Sequence, residues 1–493
     1  MKSILRFGCR LVCASILFPT IGAAGTNPTA FQPGDRWAVF GDSITQGGFY
    51  HRELELFYLT RLPEFELQTF NHGCAGDTAS GGLKRLEWDC LSSRPTVVTV
   101  LFGMNDVGRD LYLVGKSGPE VEKQRAARTQ TYADNLRSLV RRLRDAGIRV
   151  VVLSPTPYDD TMQGEKPNAP GCNAALANFT ALAREIAREA GVGFINLHTP
   201  LTELNHERQR SNPAFTLISA DRVHPGRAGH LAIAYHILRA QGAPGLVYSL
   251  HLDAVAGNVL GAENAHVSDV VATATTLSFT VAEEALPFPL DPPGAKDDLV
   301  PFSAEFNRQL LRVAKLAPGS WSLAVDDEPV GEFTHQQLAA GVDLAALPST
   351  PQLRQARLVR AALGEKWEAE ASLRSLAYAR HGAWPDAPRP FDPAEMQARV
   401  DARRAAIGHT NPYIDAQLAR HAELQPRETE LQAQSLAAAT RAREVARPGS
   451  HHYTLTLLNP SVKWKHPAYP YRLLCISASC YQPHSLPRPT TRL

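Results

Sequence analysis

The chain has 493 residues, more than one ordinary hydrophobic core supports, so two or three domains are expected. Its 44% hydrophobic content fits a soluble globular protein, and a formal charge of +2 gives no electrostatic reason for nucleic acid or an acidic membrane surface as a partner. Small neutral substrates fit that balance better.

The first 25 residues, MKSILRFGCRLVCASILFPTIGAAG, place Lys2, Arg6 and Arg10 before an apolar run and end on small residues. This is the pattern of a secretory signal cleaved near Ala24, which predicts a secreted or periplasmic protein. The run is short for a bilayer, and no later stretch reaches the roughly 20 apolar residues of a span. Removing residues 1–24 brings the chain close to neutrality. Of seven cysteines, Cys9 and Cys13 fall in this leader, while Cys74, Cys90, Cys172, Cys475 and Cys480 remain. Pairing of Cys74 with Cys90, or Cys475 with Cys480, is compatible with export. An odd number without metal-like spacing argues against a disulfide framework.

Residues 36–41, 64–71, 96–103, 148–155 and 192–198 read as strands, several apolar on both faces as buried parallel strands must be. Residues 132–147 and 173–191 show helical apolar spacing and end in glycine. This alternation predicts a doubly wound α/β sheet over residues 25–245, with its site at the carboxyl ends of the strands. Residues 246–349 read as a small β-rich accessory region. Within it, 308–333 suggests three strands separated by the turns APGS and DDEPVG, as an antiparallel unit. Residues 350–447 read as helices on either side of the proline-rich break WPDAPRPFDP. Residues 448–493 read as a tail of low order.

Four short stretches sit where these strands end. GDS (41–43) follows the first strand, and a serine there either caps the next helix or exposes its hydroxyl at the sheet edge. AGDT (75–78) follows the second strand, and its Gly76 lets the backbone approach a ligand or simply makes a turn. GMND (103–106) follows the third, placing the Asn105 amide at the same edge or in a plain turn. DRVH (221–224) precedes a helix, and its spacing lets the Asp221 carboxylate hold one ring nitrogen of His224 while the other faces a hydroxyl. Each stretch alone is ambiguous; their joint order is not.

Over about residues 35–240 these blocks resemble the SGNH/GDSL hydrolase family. The resemblance implies a flavodoxin-like, mostly parallel sheet with helices on both faces. It also implies Ser43 as nucleophile, His224 as base and Asp221 as its orienting acid. The oxyanion hole would combine the N–H groups of Ser43 and Gly76 with the Asn105 amide. Asp42 and Asp106 read as turn-forming acids, and His230 as structural. His72, His198, His206, His451 and His452 lack metal-ligand spacing, so neither a metal nor another cofactor is expected.

Such a protein is expected to hydrolyse short acyl esters of a small molecule or polysaccharide, O-acetyl groups on a carbohydrate first among them. A lipid esterase, lysophospholipase or thioesterase is the alternative within this chemistry. A non-catalytic carbohydrate-binding or surface protein is the alternative from another class. The polar loop 154–173 offers Tyr158, Asp159 and Asp160 for hydroxyl contacts, and Trp321, Trp367 and Trp384 are candidates for stacking on sugars or for core packing.

Overall fold

The structure is a computed structural model that describes residues 27–290, 299–385, 387–407 and 410–458. The leader, Cys475, Cys480 and the end of the tail lie outside these residues. Among the described residues, no helix is long and apolar enough to cross a membrane.

The chain begins with β1 (Arg36–Gly41), α1 (Ser43–Gly47), α2 (Phe49–Arg61), β2 (Gln68–Gly73) and α3 (Ala79–Arg85). It continues through β3 (Val97–Leu101), α4 (Pro119–Asp145), β4 (Arg149–Leu153), α5 (Cys172–Ala190), β5 (Gly193–Ile195), α6 (His198–Gln209) and α7 (Arg227–Gln241). The five strands form one parallel sheet in the order β2-β1-β3-β4-β5, the doubly wound arrangement expected. Every residue of β3 is buried, because helices cover both faces of a parallel sheet. All five strands present their carboxyl ends at one edge. At that edge Gly73 lets β2 and α1 touch: a Cβ there would lie 2.0 Å from the Gln46 nitrogen. A larger residue at 73 would push away the helix that begins with Ser43.

Beyond residue 245 come β6 (Leu246–Asp253), β7 (Asn258–Glu263), β8 (Ala265–Ala272), β9 (Thr276–Glu283), α8 (Phe302–Phe306), β10 (Arg308–Ala314), β11 (Ser320–Val325), β12 (Glu328–Thr334), α9 (His335–Ala340) and β13 (Val342–Asp343). Four helices follow, α10 (Pro351–Ala383), α11 (Pro393–Ile407), α12 (Pro412–Leu424) and α13 (Glu428–Ala446), and then β14 (Ser450–Leu457). One sheet has the order β13-β10-β6-β7 and another β12-β11-β14-β9-β8. Their apolar residues, among them Tyr248, Leu250, Phe279, Trp321, Leu323, Tyr453 and Leu455, share one core.

Two expectations need correction here, and one pairing left open by the sequence is decided. The stretch 308–333 is not a single antiparallel unit: β11 and β12 make the predicted hairpin, with Asp326 and Asp327 both at positive φ, but β10 runs parallel to β6 in the other sheet. Residues 450–457, assigned to the tail, form a strand paired on both sides, between β11 and β9. Its alternation is short and follows a long helical stretch, so only partners distant in sequence mark it as a strand. Cys74, Cys90 and Cys172 are free and buried, so the Cys74 to Cys90 pairing is absent.

The change of character near residue 245 is a change in element type, while packing runs across it. Leu286, Phe288, Phe302, Phe306, Val359, Leu363 and Trp367 join the same apolar core as the five-stranded sheet and its helices. Polar groups tie α10 to α2: Arg360 donates to Glu53, and Lys366 and Trp367 both reach Glu55. Arg374 donates through both terminal nitrogens, at 2.6 and 3.0 Å, to Asp89 beside the first sheet.

Candidate active site

The Ser43 side of the site is built by the first βα turn. Asp42 is the N-cap of α1, its Oδ1 accepting from the Ile44 N–H at 2.9 Å, so the role of helix cap falls to the aspartate. Ser43 is then the first helical residue, with an N–H that the helix itself does not use. Its Oγ lies 2.8 Å from His224 Nε2.

The opposite side comes from the loop before α7. Ser219 N–H donates to the His224 carbonyl at 2.7 Å, closing residues 219–224 into a tight loop. Within it, Asp221 Oδ1 accepts from the Ser219 hydroxyl and from the N–H groups of Val223 and His224, each at 2.9 Å. Asp221 Oδ2 meets His224 Nδ1 at 2.6 Å. Burial pushes the Asp221 carboxyl up, but these hydrogen bonds, that of the His224 ring foremost, outweigh it and hold the group well below the usual carboxylate range. An ionised carboxylate only accepts, so His224 Nδ1 carries the hydrogen and Nε2 is left to accept from the Ser43 hydroxyl. Both the His224 and Asp221 side chains are nearly half exposed, which makes the site open to a bulky substrate.

Gly76 turns the chain between β2 and α3 with φ +75°, a conformation that other residues adopt only with strain. Asn105 follows β3. Its Nδ2 donates to the Asp77 carbonyl at 2.8 Å and its Oδ1 accepts from Arg109 at 3.1 Å, which fixes the amide orientation and leaves one amide hydrogen for a ligand. Asp77, Arg109 and His224 all lie within electrostatic reach of Asp42 at this edge. The arrangement can transfer a proton from a hydroxyl to an imidazole beside fixed hydrogen-bond donors.

Asp42 and Asp106 are buried behind the site. Asp106 Oδ1 accepts from Ala79 N–H at 2.9 Å, holding the start of α3. Burial raises both carboxyls, Asp42 to about 6 and Asp106 to about 7. His230 is buried and stacks on Tyr50 with an interplanar angle of 4°. Burial lowers its pKa to about 3, so the ring is neutral packing.

The loop 154–173 departs from expectation. Tyr158 and Asp159 are buried, and Asp159 spends its oxygens on Met162 N–H, Asn205, Gln209 and the Thr216 hydroxyl. Asp160 Oδ2 accepts from Gly171 N–H. These groups hold the loop together instead of reaching for substrate hydroxyls. Trp321 and Trp367 are core residues, and the Arg399 guanidinium lies 3.8 Å from the ring centroid of half-buried Trp384. None of the three is a free stacking platform.

Sequence reasoning missed three arginines. Arg109 orients Asn105 and also donates to the Met104 carbonyl. Arg222, at φ +66°, sends its side chain into the protein to the carbonyls of Asp159 and Met162, anchoring the loop that carries Asp221 and His224. Arg85 is fully buried and links Asp77, Asp89 and the carbonyls of Gly41 and His72. Arg222 is identified only by contacts 60 and 63 residues away in sequence, and Arg109 and Arg85 only once the turns around them are placed in space. Cys74, Asp77 and His381 bring candidate ligand atoms within 4.8 Å of one another. Asp77 is already committed to Arg85 and the Thr78 N–H, and burial pushes the Cys74 thiol up to about 11, so this corner is poorly suited to a cation.

Comparison with known proteins is consistent with this geometry. The sequence profile of the GDSL-like Lipase/Acylhydrolase family matches residues 39–232. An acetylxylan esterase of Geobacillus stearothermophilus is 25% identical over 224 residues, covering 42% of this chain and 94% of that protein. The solved structure of a gut microbial diltiazem-metabolizing enzyme superposes with a TM-score of 0.80 at 29% identity, covering 87% of this chain and 98% of that one. A crystal structure of the Geobacillus acetylxylan esterase Axe2 matches 43% of this chain and 95% of its own, at 23% identity and a TM-score of 0.36.

Proposed function

Because residues 39–232 are a domain of the GDSL-like lipase/acylhydrolase family and the protein is an ester hydrolase of that family, we propose that it cleaves short acyl esters through an acyl-enzyme on Ser43. The observation that carries this reading is the continuous chain from Ser43 Oγ through the His224 ring to Asp221, at 2.8 and 2.6 Å, on the sheet edge that also holds Gly76 and Asn105.

In the first half-reaction Ser43 Oγ bonds to the ester carbonyl carbon while its proton passes to His224 Nε2. Asp221 holds the imidazolium that results. The tetrahedral oxyanion is stabilised by the N–H groups of Ser43 and Gly76 and by the amide hydrogen of Asn105 that Asp77 does not use. Collapse breaks the bond to the alcohol oxygen, which leaves with the proton from His224. Water then attacks the acyl-enzyme, again giving its proton to His224, and Ser43 is regenerated as the acid leaves.

For the substrate we propose acetyl esters, with acetylated carbohydrate as the first class to test. The name of the Geobacillus relative supports this, and the exported setting proposed from the N-terminal pattern is where polysaccharide is met. A small drug-like ester is a second reading, favoured by the diltiazem-metabolizing neighbour, whose likeness extends beyond the family domain to most of the chain.

The test is acetate release from a chromogenic acetate ester by the protein and by Ser43→Ala, together with mass analysis after a serine-reactive phosphonate. We expect release and a single adduct on Ser43 in the parent, and neither in the variant. Equal activity in both proteins would remove Ser43 from the mechanism.

A further inference from the structure

Among the described residues, the exposed large apolar side chains include only two aromatic ones, Phe49 and Tyr413. Both abut α1, the five-residue helix that opens with Ser43. Phe49 starts α2 just past the end of α1, with its ring 5.4 Å from that of His230. Tyr413 comes from α12, more than 360 residues away in sequence, and its hydroxyl accepts from Gln46 Nε2 at 3.2 Å.

Gln46 lies three residues after Ser43, on the neighbouring turn of the same helix face. Its other amide atom, Oε1, accepts from the Ala75 N–H at 2.6 Å, next to Gly76. A single side chain thus links Tyr413 to the helix of the proposed nucleophile and to the turn of a proposed oxyanion donor. The aromatic ring is also held from behind. Asn411 caps α12 by accepting from the N–H groups of Tyr413 and Ile414, and Tyr378 of α10 meets the Tyr413 ring edge-on, with centroids 6.1 Å apart at 71°. Despite these contacts Tyr413 stays 48% exposed. An aromatic ring fixed in place yet half open to solvent is suited to receive a flat partner.

We propose that Tyr413 forms a subsite for a ring in the alcohol half of the ester, so that the helical region beyond the family domain determines which alcohols are accepted. The inference rests on the ester-hydrolase reading of Ser43 and extends it to the leaving group. With a short acyl group, a ring that reaches Tyr413 belongs to the alcohol. An aromatic ring and the face of a pyranose offer the same flat surface, and the experiment separates them.

Wild type, Tyr413→Ala and Tyr413→Phe are compared on ethyl acetate, benzyl acetate and a mono-O-acetylated methyl xylopyranoside, with kcat/KM for each ring ester divided by that for ethyl acetate. We expect Tyr413→Ala to lower this ratio about fivefold to tenfold for at least one ring ester, the size of one aromatic contact, and Tyr413→Phe to restore most of it. A fall confined to benzyl acetate identifies an aromatic alcohol, and one confined to the xyloside identifies a sugar. Unchanged ratios for both ring esters in a folded Tyr413→Ala protein overturn the subsite. A wild-type protein that hydrolyses none of the three esters and takes up no phosphonate at Ser43 overturns the ester-hydrolase reading, and the subsite with it.

Discussion

At the scale of single residues, the site depends on groups whose partners leave one function free. Asn105 spends one amide hydrogen on the Asp77 carbonyl and its oxygen on Arg109, so the amide is held in one orientation with its second hydrogen free for the proposed oxyanion. Asn105→Ala is therefore expected to lower kcat about 100-fold to 1,000-fold while KM changes little, because the lost contact strengthens only as the oxyanion forms. Steady-state kinetics on an acetate ester measure this, and a rise in KM at constant kcat would assign Asn105 to ground-state binding. Arg222 has a separate part. It sits inside the Asp-x-x-His stretch yet is buried, and its guanidinium fixes the loop to the carbonyls of Asp159 and Met162. Arg222→Met is expected to weaken activity through disorder of His224, read as loss of phosphonate labelling rate at Ser43 in a protein whose circular dichroism is unchanged. The DRVH spacing revealed Asp221 and His224 in the sequence. It could not reveal Arg222, since an arginine next to an aspartate in a loop reads as solvent-facing until its buried acceptors are known.

At the scale of elements, two buried polar networks join pieces distant in sequence. In the first, Arg374 of α10 and Arg85 of α3 both donate to Asp89, Arg85 also holds Asp77, and the Asp77 carbonyl orients Asn105. Burial alone would raise the Asp89 carboxyl, but Arg374, His72 and Arg85 hold it well below the usual range. Removing Arg374 leaves a buried carboxylate short of a partner, so Arg374→Leu is expected to destabilise the protein by about 3–5 kcal/mol. Urea unfolding checks this, and a loss below about 1 kcal/mol would class the pair with surface ion pairs.

The second network lies where β9, β14 and α10 meet. Glu283 Oε1 accepts from the Tyr453 hydroxyl and from Gln352. Burial raises the Glu283 carboxyl to about 8 from an ordinary value of 4.5, so the folded protein keeps a proton that the unfolded chain has lost. With more protons bound when folded, stability falls as pH rises from about 4.5 to about 8. Glu283→Gln keeps an acceptor and removes the titration. The variant should thus gain on the parent across that window, by at most about 1.4 kcal/mol per pH unit, and the gain should level off above it. Thermal unfolding from pH 4 to 9 measures the difference, and parallel curves would show that Glu283 does not titrate there.

At the scale of the whole molecule, residues 27–457 pack as one compact unit in which later elements complete the core of earlier ones. Phe288, Phe302 and Phe306 cluster around Phe57 of α2, and α10 covers the same helix with Val359, Leu363 and Trp367. A chain ended after Gly245 would uncover this apolar surface and leave Glu53 and Glu55 without Arg360 and Lys366. Such a fragment is expected to be insoluble or to unfold at a markedly lower temperature, as solubility and circular dichroism would show. A fragment as stable as the whole chain would make the later elements a separable attachment.

Much of the α/β half was legible in the sequence because its rules are local. Two-sided apolar strands such as β3 can only be buried in a parallel sheet. Helices ending in glycine divide them, and the carboxyl ends of parallel strands collect whatever polar residues follow. That logic brings Ser43, Gly76 and Asn105 to one edge before any coordinate is known, and the spacing of Asp221 and His224 completes the expected set. What only the tertiary structure decided depends on pairing across long stretches of chain: β10 beside β6, β14 inserted between β11 and β9, Arg374 on Asp89, and Tyr413 on Gln46. A strand edge, a buried charge and a half-exposed ring each acquire meaning from a partner distant in sequence, 285 residues away for Arg374 and 367 for Tyr413, and no local pattern of size or polarity encodes which partner that is.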